Sequence, residues 1–302
     1  VKKPIELISF SDEEGRFGGM FGSQAFCGMI SPETLQSAED LDGIRLSDEM
    51  KRHGMVPEEA LDAQRPPELI DSYLELHIEQ GPVLDQNQMQ AGVVENITGL
   101  FKWLIRLRGE ANHAGTTPME MRHDAFMGLA DFAHEIPRIL DENGSEHSRA
   151  TIGKAQILPG SPNTVPGMVE FSIDVRDTDS QVLDDLKDAC RRALSAIGRR
   201  RRLQFDFQEV SHIQPVACEK KIIQALEKCA RDLNLRYKVM PSGAAHDAQM
   251  LGQITKMGMI FAPSKGGQSH APSEWTSWND IEASANLVLH SLIELAGIEN
   301  EV

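Results

Sequence analysis

Apolar and polar residues alternate without a break over Tyr73–Glu79 (YLELHIE). This puts Leu74, Leu76 and Ile78 on one side of a strand and Tyr73, Glu75 and His77 on the other, and Gly81-Pro82 ends it. Upstream, Ile5–Phe10 (IELISF) is a short apolar run closed by the polar SDEEG, the pattern of a buried strand followed by a loop. Residues 16–64 carry helix-like stretches with polar breaks, one of them opening at Ser31-Pro32-Glu33. From Gly99 the character changes. Leu100–Arg108 reads as a strand, 122–140 as a helix, and Thr151–Leu158 and Met168–Arg176 as two strands joined by the turn GSPNTVPG. Ser180–Ile197 follows as an amphipathic helix and Leu203–Val210 as a last strand. That order, βαββαβ, is the ferredoxin-like pattern, complete in itself. Alternation of helix and strand then resumes: a helix over 219–234, a strand near Tyr237, a helix around 247–252, a strand Met257–Phe261 and a helix over 280–297. The pattern predicts an α/β host domain, residues 1–98 and 212–302, interrupted by an inserted α+β domain, residues 99–211.

The 302 residues suffice for two such domains, and 30 basic against 46 acidic side chains leave a formal net charge of −16. Phosphate binding needs concentrated positive charge, so no nucleic acid and no anionic membrane is expected as a partner. The one basic run, Arg199–Arg202, reads as a solvated turn. No apolar run approaches transmembrane length, and Cys27, Cys190, Cys218 and Cys229 are scattered without a CxxC pair, as in a cytoplasmic protein with reduced thiols. The chain opens at Val1, within a few residues of an expected strand, which reads as the loss of a true beginning.

In an open α/β sheet, ligands sit outside the carboxyl ends of the strands. Glu13 and Glu14 follow the first apolar run, His77 closes the YLELH strand, and His270 follows MGMIFAPS through the flexible Lys265-Gly266-Gly267. Carboxylate plus imidazole is the ligand set of divalent-metal hydrolases, in which one glutamate can bind metal while its neighbour takes a proton from water. Each signal has a bland rival: a Glu-Glu pair in a loop is usually solvated, and a strand histidine is more often structural.

Seven stretches together carry more weight: SFSDEEGRFG (9–18), LELHIEQGPVL (74–84), GEANHAGTTPMEMRHDA (109–125), GSPNTVPG (160–167), DVRDTD (174–179), SGAAHDAQ (242–249) and GGQSHAPSEW (266–275). In order and spacing the chain resembles the N-carbamoyl-L-amino-acid hydrolase and allantoate amidohydrolase family, related to aminoacylases and metal-dependent carboxypeptidases. The resemblance implies a zinc-exopeptidase-like catalytic domain with a mixed sheet, interrupted by a lid domain that also forms a homodimer interface. It implies two divalent metal ions (zinc, manganese, cobalt or nickel) and a small carbamoyl or ureido substrate. Glu13 would be the general base, Glu14 and His270 ligands of one metal, and His77 a ligand of the other. Gln80, Asn163 and Arg176 would hold the substrate, with Arg176 on its carboxylate, and His113 would stabilise the oxyanion. In the family the lid His and Asn reach the active site of the partner subunit. His246 and Asp247 would support the metal-bearing loops from behind, or cap the following helix. The rivals stay open here: Asn112–Gly115 as a plain turn, Asn163 as a turn residue, Arg176 as a local ion pair.

The pattern departs in one place. Family members carry a His-x-Asp motif and a bridging aspartate ahead of the Glu-Glu pair, and no His-x-Asp occurs in this sequence. The residues left would give one metal Glu14 and His270 and the other only His77, so weak metal binding and little hydrolysis are expected. Cleavage of N-carbamoyl-L-amino acids is the first reading, allantoate the close alternative, and an inactive remnant that dimerises through the lid the alternative of another class.

Overall fold

The computed structural model describes residues 1–40 and 42–297. In chain order its strands are β1 (Ser72–Ile78), β2 (Ala91–Ile97), β3 (Gly99–Arg108), β4 (Asn112–His113), β5 (Arg149–Leu158), β6 (Thr164–Val165), β7 (Met168–Asp177), β8 (Gln204–Ile213), β9 (Val216–Ala217), β10 (Tyr237–Ser242) and β11 (Lys256–Ala262). The α-helices are α1 (Phe21–Phe26), α2 (Pro32–Ser37), α3 (Leu46–Arg52), α4 (Val83–Gln86), α5 (Ala125–Asn143), α6 (Ser180–Arg201), α7 (Lys220–Asp232), α8 (Asp247–Leu251) and α9 (Trp278–Ala296). The chain divides into two compact units, residues 1–97 with 216–302, and residues 98–215.

The first unit is built on a mixed sheet in the order β1-β11-β2-β10, with β9 on β2. β1 runs parallel to β11 and β10 parallel to β2, while β11 and β2 are antiparallel. Both faces are covered, which is why β11 (KMGMIFA) and β2 (AGVV) are continuous apolar runs rather than alternating ones. Val93 and Ile260 pack with Ile222, Leu226 and Leu287 of α7 and α9; Val94, Met259 and Phe261 pack on the other face with Leu84 and Ala248. β2 is a strand that the sequence pattern had passed over, because a strand buried on both faces shows no period of two. In β1 the polar face goes inward: Glu75 is buried while Leu76 on the opposite face is 39% exposed.

The expected first strand is absent. Ile5–Phe10 is irregular and mostly exposed, Leu7 at 89%, although Phe10 packs on Phe26 and Tyr73. A strand exists only where a neighbour completes its ladder, and among the described residues β1 pairs with β11 alone. Ser31 does cap α2, accepting from the Thr34 amide at 3.1 Å with Pro32 at the first helical position.

The second unit is an antiparallel sheet in the order β5-β7-β3-β8 with α5 and α6 packed on one face, the ferredoxin-like arrangement. Strict alternation sends Phe101, Trp103, Ile105 and Leu107 of β3 and Val169, Phe171, Ile173 and Val175 of β7 into the core. On the other face Arg106 pairs with Glu170 at 2.7 Å and Lys102 with Asp174 at 3.4 Å. The turn GSPNTVPG is more than a turn, since Thr164 and Val165 form β6 and pair with β4.

The basic run is not a solvated turn either. Arg199–Arg201 form the last turn of α6, where cations complement the helix dipole, and Arg200 and Arg201 both reach Asp131 of α5 at 2.7 and 2.8 Å. Arg201 and then Arg200 hold the Asp131 carboxyl down to about 2. With the folded value below the unfolded one, this stabilisation is complete above the ordinary carboxylate range and is lost as the pH falls through about 2. Asp131→Asn should therefore cost roughly 1.5–3 kcal/mol in urea melts at neutral pH. The gap from the parent protein should narrow as the pH approaches 2, and a gap that does not depend on pH contradicts this account.

Candidate active site

The loop after Phe10 carries both glutamates and is pinned by its own backbone. Asp12 sits at φ 61° and accepts from the Phe17 amide at 3.1 Å, Met20 N donates to Glu13 O, and Gly22 N donates to Ser11 O. Gly22 is needed there, because a Cβ would lie 2.6 Å from the Ser11 nitrogen.

Glu13 lies between two imidazoles. Its Oε2 is 3.9 Å from His77 Nε2 and its Oε1 is 4.0 Å from His246 Nδ1. The two rings meet edge-on with centroids 4.5 Å apart. One oxygen of Glu13 and one nitrogen of each histidine lie within 4.8 Å of one another, a spacing that can hold a metal ion. His77 lies near the end of β1 and its Nδ1 is 2.8 Å from the Ile78 carbonyl, so Nδ1–H is the donor there and, in the neutral ring, Nε2 carries the lone pair facing Glu13. Burial opposes a charge on His77, but Glu13, the Ile78 carbonyl and Glu75 outweigh it and raise its pKa: the spot favours positive charge. Burial, then the nearby His77, pulls His246 down to about 3. Beneath them Glu75 is buried, accepting from Tyr73 Oη at 3.0 Å and from the Ala248 amide at 2.7 Å, and burial followed by Asp247 raises its pKa.

Glu14 lies in a second, more open group. Its Oε2 is 2.8 Å from His270 Nε2, and Gln80 Nε2 is 3.0 Å from Glu14 Oε1 and 3.4 Å from the same histidine nitrogen. Gln80 and His270 both adopt positive φ, 55° and 56°, a conformation that few side-chain-bearing residues take. The His270 loop is tied down by Glu274, which accepts from His270 N at 3.0 Å and from Ser269 Oγ at 2.7 Å.

The first unit thus gathers Glu13, Glu14, His77, Gln80, His246 and His270. In the second unit, β4 and β6 hold His113 beside Asn163, whose carbonyl accepts from the Ala114 amide at 2.9 Å. His113 Nδ1 accepts from Gly115 N at 3.1 Å and Thr116 N at 3.2 Å, so a neutral ring carries its proton on Nε2 and is a donor there. The Asn163 side-chain oxygen accepts from Ser161 Oγ at 2.6 Å. Arg176 is engaged by Asp174 through Nε at 2.8 Å and Nη2 at 3.2 Å. His246 precedes α8 but makes no cap, and Asp247 is buried beside Ser23, its carboxyl raised to about 6 by burial. Glu75 and the closeness of His246 to Glu13 are what sequence reading missed.

The profile of Peptidase family M20/M25/M40 matches residues 1–294. The chain belongs to this family. It is 36% identical over 296 residues to an N-carbamoyl-L-amino acid amidohydrolase of Geobacillus stearothermophilus, covering 97% of this chain and 71% of that one. To an allantoate amidohydrolase of Escherichia coli it is 35% identical over 298 residues, covering 97% and 71%. A crystal structure of an amidase of the hydantoinase/carbamoylase family from Burkholderia multivorans superposes with a TM-score of 0.84 at 33% identity, covering 94% of this M20 chain and 68% of that one.

Proposed function

We propose that this M20 chain is a metal-dependent amidohydrolase that splits the C–N bonds of an N-carbamoyl-L-amino acid, taking up one water and releasing carbon dioxide, ammonia and the amino acid. The observation that carries the reading is the adjacent pair Glu13-Glu14 divided between two imidazole groups, His77 with His246 and His270 with Gln80. This donor set fits divalent cations such as zinc, manganese, cobalt or nickel, because carboxylate and imidazole atoms converge where positive charge is favoured. A bound divalent cation supplies Lewis-acid polarisation and lets water attack at neutral pH.

Each side chain has a task. Glu13 accepts the proton of the attacking water and returns it to the departing nitrogen. Glu14, His270 and His77 hold the cations, and Gln80 orients the substrate beside Glu14. His113 offers its Nε2–H to the developing oxyanion, Asn163 its amide, and Arg176, steadied by Asp174, a guanidinium for the substrate carboxylate. Asp247 and Glu75 support the site from below. The second unit, residues 98–215, acts as lid and as the surface of a homodimer. Among the described residues no helix is long and apolar enough to cross a membrane, and the four cysteines are free and buried, which favours the reducing cytoplasm.

The test is ammonia release by the purified protein from N-carbamoyl-L-amino acids and from allantoate. It is run before and after chelation and after return of zinc, manganese, cobalt or nickel. Carbamoyl amino acids should be the better substrates, chelation should abolish turnover, and one of the metals should restore it. Ammonia release untouched by chelation defeats the proposal, and preference for allantoate shifts it to that substrate.

A further inference from the structure

His246 has both nitrogens inside the protein and only one of them satisfied. The residue is fully buried, its Nε2 is 2.7 Å from Ser242 Oγ, and its Nδ1 has no hydrogen-bond partner. That nitrogen faces two carboxylates, Glu75 Oε1 at 3.9 Å and Glu13 Oε1 at 4.0 Å. Ser242 Oγ is 3.0 Å from the Ala244 carbonyl and accepts from the Ala244 amide at 3.2 Å. A serine has one proton to give. With that proton on the Ala244 carbonyl, Oγ accepts from Nε2–H, and Nδ1 is left as a bare lone pair aimed at carboxylate oxygens.

A lone pair walled in by negative charge is unfavourable unless a cation lies between them. His77 repeats the pattern in mirror form, with Nδ1–H on the Ile78 carbonyl and Nε2 open toward the other oxygen of Glu13. A histidine that binds metal through one nitrogen ordinarily donates from the other to a fixed oxygen, which sets its tautomer and aim.

We infer that His246 is a direct metal ligand, its Nδ1 and the Nε2 of His77 forming a paired imidazole grip on one divalent cation opposite the Glu13 carboxylate, with Ser242 fixing its tautomer. This deepens the metal-dependent reading above and rests on it. It also raises the number of imidazole donors expected around that cation from one, His77, to two. Of the two groups in the first unit, this one is the more enclosed: His77 and Glu13 are about one-fifth exposed, against 68% and 59% for His270 and Glu14. It is therefore the tighter cation site.

Cobalt(II) serves as probe, read by calorimetry and by its visible ligand-field spectrum on the full chain. His246→Gln keeps an amide near Nε2 for Ser242 but offers nothing at Nδ1, whereas His246→Asn puts an amide oxygen close to the Nδ1 position. His246→Gln should weaken the tighter cobalt site at least ~100-fold and change its spectrum, and His246→Asn should recover part of the loss. Ser242→Ala should weaken the site about 10–100-fold while keeping the spectrum. Unchanged far-ultraviolet circular dichroism certifies the fold of each variant, and His77→Ala serves as the matched control. If His246→Gln and Ser242→Ala bind cobalt with parent affinity and spectrum while His77→Ala does not, His246 is no ligand and the metal-dependent reading stands. A parent protein that binds no cobalt, zinc, manganese or nickel overturns both.

Discussion

Glu13→Gln should lower kcat for ammonia release by about 10²–10⁴-fold, the range that a positioned general base contributes. The substitution keeps the shape and the loop. The Glu13 backbone carbonyl accepts from Met20 N, which holds the loop independently of the carboxylate's approach to His77 and His246. What is lost is an acceptor for the proton of water, since an amide cannot take it. KM should move little, because Glu13 is not among the groups assigned to hold the substrate. Steady-state kinetics with metal content measured in parallel make the test. A glutamine variant within threefold of the parent kcat at equal metal loading removes Glu13 from this role. Glu14→Gln should behave differently, losing metal along with turnover, because Glu14 is paired directly with His270 at 2.8 Å.

The largest effect on stability is expected at Trp103. It is wholly buried in the centre of the second unit, stacked on Phe207 with centroids 4.3 Å apart and packed against Phe101 at 5.0 Å. It lies on β3, which pairs with β7 on one side and β8 on the other, so a void there is felt by three strands. Trp103→Ala should destabilise this unit by about 3–5 kcal/mol in urea or thermal unfolding. The indole N–H bond to Glu209, 3.3 Å, contributes less, because Lys187 still pairs with that carboxylate at 2.7 Å. Trp103→Phe, which leaves a smaller void, should accordingly cost clearly less than Trp103→Ala. Equal losses for the two variants place the stabilisation in the hydrogen bond instead of the packing.

Most of the ferredoxin-like unit could be read from the sequence because its sheet has one dry and one wet face. Phe101, Trp103, Ile105 and Leu107 alternate with Lys102 and Arg106, and alternation is what a sequence displays. The other sheet was harder for the opposite reason, as β2 is dry on both sides and carries no alternation. Ile5–Phe10 misled because composition fixes what a segment can bury, not whether a neighbouring strand exists for it to pair with.

The site divides along similar lines. Glu13, Glu14, His77 and His270 were accessible because they follow apolar runs, the usual address for ligands. His246 does not have that address. β11 and β2 run antiparallel, so β10 points the opposite way from β1 and β11. The chain then passes beneath the sheet, where His246 reaches the Phe261 ring at 5.7 Å and Ala248 donates to Glu75. Only the path of that segment brings the imidazole back to Glu13, and no spacing rule encodes a path.

One more property follows from the way β2 ends. Ile97 and Val216 are direct partners across the β2–β9 ladder, so everything between them leaves and rejoins the five-stranded sheet through a gap one strand wide, roughly 5 Å. That geometry makes residues 98–215 a cassette. A two-residue turn joining Ile97 to Val216 in place of residues 98–215 should therefore leave the strand registers of the sheet unchanged.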